Sequence, residues 1–286
     1  MAHSRIRRSG VVSMAVFMLA TSVSFAVAPP ANAARPSGLG PSLPRSSVDR
    51  RDASPKPQIH VVYVVPSDGL DRSLDTNGTL TNSVAAFQRW LAIQTGGQAL
   101  RFDTFRRSLD ITFLRLESTD AEIADNGPFV REALEAALDA AGLDDQDKIY
   151  ATYYDGTSTF SCGGGAWPPL ITGNVAAMYL HGLPEAPIPC DSVSFAPAGG
   201  DPTYLEFGML HEIMHTLGFV PDCAPNEWRN GHVSDTANDL MWGGDTPWAP
   251  SGWGAVVLDA GHDDYFQTDI PGCLDFADSA YLRRWR

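Results

Sequence analysis

Unbroken apolar runs and periodic apolar stripes alternate between residues 57 and 181. "QIHVVYVV" (58–65) is a continuous β-branched and aromatic run, the pattern of a strand buried on both faces, and Pro66-Ser67-Asp68-Gly69 ends it. Val84, Phe87 and Leu91 share one side of a helix predicted over 81–95, which Gly96-Gly97 stops. "LDITFLRL" (109–116) begins with strand alternation. A second helix is predicted over 128–141, with Pro128 in its first turn, a stripe of Val130, Leu134, Ala137 and Leu138, and Gly142 at its end. "KIYATYY" (148–154) and "AAMYLH" (176–181) are further strands, and "SCGGGAWPP" (161–169) between them reads as a loop. There is no internal repeat. The order predicts one mixed domain, α/β or α+β, over 57–286.

The residues before that domain carry different patterns. Arg5, Arg7 and Arg8 precede a largely apolar run from Val11 to Val27, and Ala31-Asn32-Ala33 supplies small residues for cleavage. Residues 1–33 therefore read as a secretory signal peptide. Residues 34–56, rich in Pro, Ser and Arg, read as a disordered linker too short to be a folded inhibitory segment. No later stretch is long and apolar enough for a bilayer.

Charge narrows the partners. Three of the 20 basic residues and none of the 34 acidic ones lie in 1–33, which leaves 17 against 34, a net of −17. Such a chain is not drawn to nucleic acid or to an anionic membrane by bulk electrostatics. The four cysteines fall in the second half, and an even count in an exported chain reads as two disulfides with three possible connectivities. Neighbours in sequence, Cys162–Cys190 and Cys223–Cys273, are the favoured pairs, each contributing about 3–4 kcal/mol if loop closure governs. No CxxC-like spacing points to a cysteine-bound zinc.

"LHEIMHTLGF" (210–219) contains HExxH. On a helical wheel over 203–217, Met209, Leu210, Ile213, Met214 and Leu217 form one apolar face. His211 and His215 lie together on the other side, with Glu212 beside them and Gly208 in the gap. Two neutral imidazoles on successive turns can hold zinc from one side. A carboxylate that is not a ligand then stands in reach of a water, whose pKa the metal lowers to about 7. Glu212 is the candidate general base and acid. Gly218 suits a left-handed turn at the helix end.

The third ligand is not given by this helix. Position 221, where the long form HExxHxxGxxH places a histidine, is Pro221. Downstream runs "GHVSDTANDLMW" (231–242), and its H-V-S-D-(x)3-D-L-M-W string resembles the end of the matrix metalloproteinase pattern, a histidine followed by a methionine turn. "HTLGF" (215–219) is similar to the "HALGF" of leishmanolysin, a metzincin with residues inserted between glycine and third histidine. A set of small secreted bacterial proteins with HExxHxxG…HxxD…D(L/I/V)M also resembles this chain, including a "PSDGxD"-like segment at Pro66–Asp71. The chain thus resembles the metzincin zinc endopeptidases over 205–242, more loosely over 57–180.

The resemblance implies a zincin-like catalytic domain, a mixed twisted sheet with an active-site helix. His232 becomes the third zinc ligand after an 11-residue insertion, and Met241 the methionine beneath the site. Asp222, one residue past the standard place, and Asp235 or Asp239 remain alternatives. No glutamate follows Glu227, so a thermolysin-like downstream ligand is excluded. Many metzincins carry a tyrosine two residues after the methionine; here that residue is Gly243, and Tyr265 or His262 is the candidate oxyanion donor.

The reading is a secreted zinc endopeptidase acting on protein or peptide as a monomer, with no nucleic-acid partner and no membrane after signal removal. Substrate is expected to pair along an edge strand, for which 176–181 is the candidate. The alternative is a catalytically idle, zinc-stabilised extracellular binding module. A polysaccharide hydrolase using Asp263 and Asp264 is disfavoured, since neighbours on a strand point apart. Carboxylates in 243–250 and 260–264 are a secondary calcium candidate. His60 and His181 read as ordinary strand residues, and the seven tryptophans as packing residues or a cleft lining.

Overall fold

The computed structural model describes residues 39–51, 54–187, 189–243, 248 and 250–285. The predicted signal peptide lies outside them. The described chain from residue 39 forms a mixed α/β unit around a five-stranded, mostly parallel sheet. Its strands are β1 (Gln58–Val65), β2 (Ile111–Arg115), β3 (Lys148–Tyr154), β4 (Gly163–Trp167) and β5 (Ile171–Tyr179). They lie in the order β2-β1-β3-β5-β4. All neighbours are parallel except β4, which runs antiparallel to β5 at one edge.

Burial explains why β1 reads as one apolar run. All eight of its residues are buried, because helices cover both faces of the sheet. On one face Ile59, Val61, Tyr63 and Val65 meet Tyr153 and Met178 and the helices α1 (Thr79–Gln94) and α4 (Tyr204–Thr216). On the other, Val62 and Val64 meet Tyr150, Tyr154 and the Val130, Leu134 and Leu138 stripe of α3 (Val130–Ala140). A short helix α2 (Asp120–Ala124), capped by Thr119 and Glu122, had no stripe long enough to be predicted.

Two expectations are corrected here. "SCGGGAWPP" is not a loop, since Gly163–Trp167 is the edge strand β4. Its glycines are dictated by α4, which lies almost on the strand. A Cβ at Gly165 would fall 2.5 Å from the Glu212 carbonyl oxygen, and one at Gly163 2.6 Å from Glu212 Oε1. Glycine weakens a strand but permits this close approach. Consequently 176–181 lies within β5 and just beyond it, flanked by β3 and β4, and is no edge.

The described part of the segment read as a disordered linker is also ordered. Residues 39–51 run along β2, with Ser46 bridged to Thr112 and its carbonyl accepting the Phe113 N–H at 2.7 Å. Arg45 binds Asp71 and Asp75 and stacks 3.8 Å over the Phe113 ring. Arg50 binds Asp110, and Asp49 binds Lys148. The arginines that suggested disorder are the groups that find buried carboxylates.

Both expected disulfides are present, Cys162–Cys190 and Cys223–Cys273. Among the described residues no helix is long and apolar enough to cross a membrane.

Candidate metal centre

Helix α4 is capped by Thr203, whose backbone N–H and hydroxyl both donate to Glu206 at 3.0 and 2.8 Å. Glu206 also accepts the Ala196 N–H at 3.1 Å, which fixes the incoming chain to the helix start. Met209, Leu210, Ile213 and Met214 are fully buried, which sets the rotation of the helix and turns His211, Glu212 and His215 away from the core. Leu217 ends the helix and Gly218, at φ +91°, reverses the chain.

Residues 219–231 then bring His232 back to the helix. A short antiparallel pair, β6 (Glu227–Trp228) and β7 (His232–Val233), presents it. Cys223–Cys273 and the 3.1 Å hydrogen bond from Trp167 Nε1 to the Val220 carbonyl tie this excursion down. The Nε2 of His215 ends 3.0 Å from that of His211 and 3.2 Å from that of His232.

The second nitrogen of each ring settles the proton positions. His211 Nδ1 lies 2.7 Å from the Leu240 carbonyl, His215 Nδ1 3.1 Å from that of Phe219, and His232 Nδ1 2.9 Å from that of Arg229. A carbonyl oxygen only accepts, so each Nδ1 donates, and in the neutral ring each Nε2 carries a lone pair. Burial, then the neighbouring His232 charge, pushes the His211 pKa down to about 3. Burial lowers His215 and His232 as well. Three neutral imidazoles thus aim three lone pairs at one point, an arrangement that repels itself unless a cation sits among them. The donor set fits a metal ion of the kind that takes imidazole nitrogen.

Glu212 is outside the group of three and lines the same pocket as His211. Burial pushes its carboxyl up to about 8, opposed by the charge of Arg131 and the Gly165 N–H. A cation at the three imidazoles would favour its ionised form. Gly243 lies close against His232: a Cβ there would fall 2.3 Å from His232 Cγ, so the ring leaves room only for a glycine.

The other candidates go elsewhere. Asp222 is exposed and outside the group. Asp239 is fully buried and accepts the Met241 N–H, the Ala260 N–H and the Tyr265 hydroxyl at 2.7–2.9 Å, and burial pushes its carboxyl up to about 8. It shapes the turn at Leu240-Met241, where Met241 is fully buried and the Leu240 carbonyl orients His211. Tyr265 is buried with its hydroxyl spent on Asp239, and His262 Nδ1 donates to the Phe266 carbonyl at 3.2 Å. Neither is placed as an oxyanion donor.

Asp235, Asp263 and Asp264 bring carboxylate oxygens within 4.8 Å of one another and could hold a cation. Asp263 and Asp264 lie outside any strand, and both accept from the Asn226 side chain, at 3.3 and 3.2 Å. They do not point apart as strand neighbours would. In the group of Asp49, His60, Asp103 and Asp110, Lys148 and Arg50 already supply the cations.

A pocket of about 630 Å3 opens beside His211 and Glu212. Tyr204, Trp242, Trp248 and Trp253 line part of it, so these tryptophans face a cleft as well as pack. Comparison with protein-family models finds no family that matches the chain, and a search of curated proteins finds no match either.

Proposed function

We propose that the chain is an exported, zinc-dependent endopeptidase of metzincin type, with His211, His215 and His232 holding the metal and Glu212 moving the proton. The observation that carries this reading is the meeting of three Nε2 lone pairs at 3.0 and 3.2 Å, with Glu212, which is not one of the group, lining the same pocket as His211. A site that only stabilised the fold would have no use for a base at Glu212.

Zinc, when bound, supplies Lewis acidity, polarising a carbonyl and making a water acidic near pH 7. The Glu212 carboxylate takes the proton of the attacking water at one of its oxygens and returns it to the leaving amine. The Leu240, Phe219 and Arg229 carbonyls keep the imidazoles in the one tautomer that leaves Nε2 unprotonated. A peptide would pair along β4, the strand that ends the sheet next to Glu212. The topology supports a zincin-like fold: four parallel strands, an antiparallel edge strand and the HExxH helix packed against that edge. Two disulfides support export to an oxidising compartment.

The deciding experiment is hydrolysis of unfolded casein by the chain from residue 34 onward. It is run beside Glu212→Ala and with a zinc chelator, together with metal analysis of the purified protein. About one zinc per chain, with cleavage lost in both the variant and the chelated sample, is expected. Undiminished cleavage by Glu212→Ala would sink the mechanism. One bound zinc with no cleavage would instead favour the idle, metal-stabilised module.

A further inference from the structure

The segment 39–51 makes two kinds of contact with the body of the protein. Its backbone covers the open side of β2. Besides the Ser46 carbonyl that accepts the Phe113 N–H, the Gly40 N–H donates to the Arg107 carbonyl at 3.2 Å, and a Cβ at Gly40 would fall 2.6 Å from Ser108 Oγ. Leu39 packs against the core shared with α1 and α4. Its charged side chains reach groups of opposite charge that lie beneath it. Arg45 donates from Nε and Nη2 to the two oxygens of Asp75 at 2.7 and 2.6 Å. Arg50 donates its backbone N–H to Asp110 at 3.1 Å and pairs with it through the side chain, and Asp49 pairs with Lys148. The side chains of Asp75, Asp110 and Lys148 are only 1, 1 and 4% exposed. None of the described residues 39–51 lines the pocket beside Glu212.

We propose that residues 39–51 are a strap that stays on the working protein, held along β2 by buried charge even when the chain is cut behind it, and are not a pro-segment discarded on export. The inference stands apart from the peptidase reading, since none of these contacts involves the three histidines or Glu212. Three observations carry it. A pro-segment that silences an enzyme must cover its site, and this one leaves the pocket beside Glu212 uncovered. A strand that ends a sheet presents unpaired N–H and C=O groups, and removing the segment would return β2 to that state. The charged contacts land on three separate places: Asp75 in the turn before α1, Asp110 just before β2, and Lys148 at the start of β3. Linked contacts of this kind resist peeling, because each holds the segment while another opens. Charge-assisted hydrogen bonds to groups this deeply buried also hold more strongly than exposed pairs. Val48, 64% exposed, adds little, so charge and backbone pairing are the main hold.

The test uses the chain from residue 34 onward with a protease recognition sequence inserted between Pro55 and Lys56, both exposed. The folded protein is cut and run on a size-exclusion column, and mass spectrometry follows the segment. It is expected to elute with the body of the protein and to leave it only in urea. Elution apart from the body without urea overturns the proposal. Arg45→Lys combined with Arg50→Lys keeps both charges and loses the forked contacts, so this variant is expected to fold. Its cut segment, carrying a fluorescent label, is expected to bind about 10–100-fold more weakly than that of the parent by anisotropy. Val48→Ala, at an exposed position of the same segment, is expected to match the parent. Equal binding by the parent and the double lysine variant overturns the charge-held strap. A separate readout is the intact mass of the full chain after export, which is expected to place the N-terminus at or before Leu39; an N-terminus beyond Leu39 also overturns the proposal. No readout here depends on hydrolysis, so failure of the peptidase reading leaves this outcome untouched.

Discussion

Gly243 approaches His232 so closely that a Cβ on it would fall 2.3 Å from His232 Cγ and 2.5 Å from its Cβ. Gly243→Ala should push the ring out of register with His211 and His215 while leaving the sheet untouched. A loss in zinc affinity of about 10–100-fold is expected, as when a group that orients a metal-bound histidine is lost. Competition against a chromophoric chelator measures it, and an unchanged affinity would show that His232 tolerates displacement or holds no metal.

Two neighbouring glycines of β4 should fail in different ways. A Cβ at Gly163 meets Glu212 Oε1 at 2.6 Å, the far end of a flexible side chain, although the Ala177 carbonyl also lies 2.9 Å away. A Cβ at Gly165 meets the Glu212 backbone oxygen at 2.5 Å and His215 Cβ at 2.8 Å. Gly163→Ala is expected to fold and bind zinc but lose most hydrolysis. Gly165→Ala forces helix and strand apart and should cost about 1–3 kcal/mol of stability. Urea midpoints and turnover measured side by side separate the two; equal effects in both assays would contradict this geometry.

Asp155 should make the fold sensitive to pH on both sides of neutrality. Burial alone would raise its carboxyl, but His181 at 2.9 Å, Arg72 and Tyr63 outweigh that and lower it to about 2. A depressed carboxylate contributes stability above its unfolded pKa, near 3.9, and loses it as pH falls toward 2, here about 2 kcal/mol. His181 is raised, chiefly by that same hydrogen bond, with burial and Arg72 opposing and Asp191 adding a little. Its contribution is complete below about pH 6.5 and fades as pH rises through its folded value. The two shifts describe one interaction and count once. Urea midpoints at pH 3, 5, 7 and 9 should peak near pH 5, and His181→Gln should flatten the fall on the alkaline side. An unaltered alkaline limb in that variant would assign the effect elsewhere.

Arg45 ties residues 39–51 to the turn before α1 through Asp75, whose side chain is only 1% exposed. Arg45→Ala strands that carboxylate and removes the stacking on Phe113. A destabilisation of about 1–3 kcal/mol is expected, read from the urea midpoint at neutral pH. A loss within error would mean that water replaces the arginine at no cost.

Much of this molecule is readable along the chain because the signals are local. The all-buried run 58–65, the stripes of α1 and α3, the apolar face of α4 and the HExxH register are set by side-chain period alone, and each forms where that period places it. The neighbouring-cysteine pairs also came from spacing and compartment. What the chain order could not decide depends on residues brought together from far apart. "SCGGGAWPP" has loop composition, and it is a strand only because α4 lies against it. The arginines of 39–51 look disordered until Asp71, Asp75 and Asp110 are in place to receive them. Asp222, Asp235 and His232 compete on paper for one place, and only the excursion 219–231, fastened by Cys223–Cys273, brings the third imidazole to the other two. Gly243 is ordinary in sequence and required in space. Periodicity fixes which way a side chain faces within its own element; which groups meet is fixed by packing between elements, and a linear pattern carries no record of that.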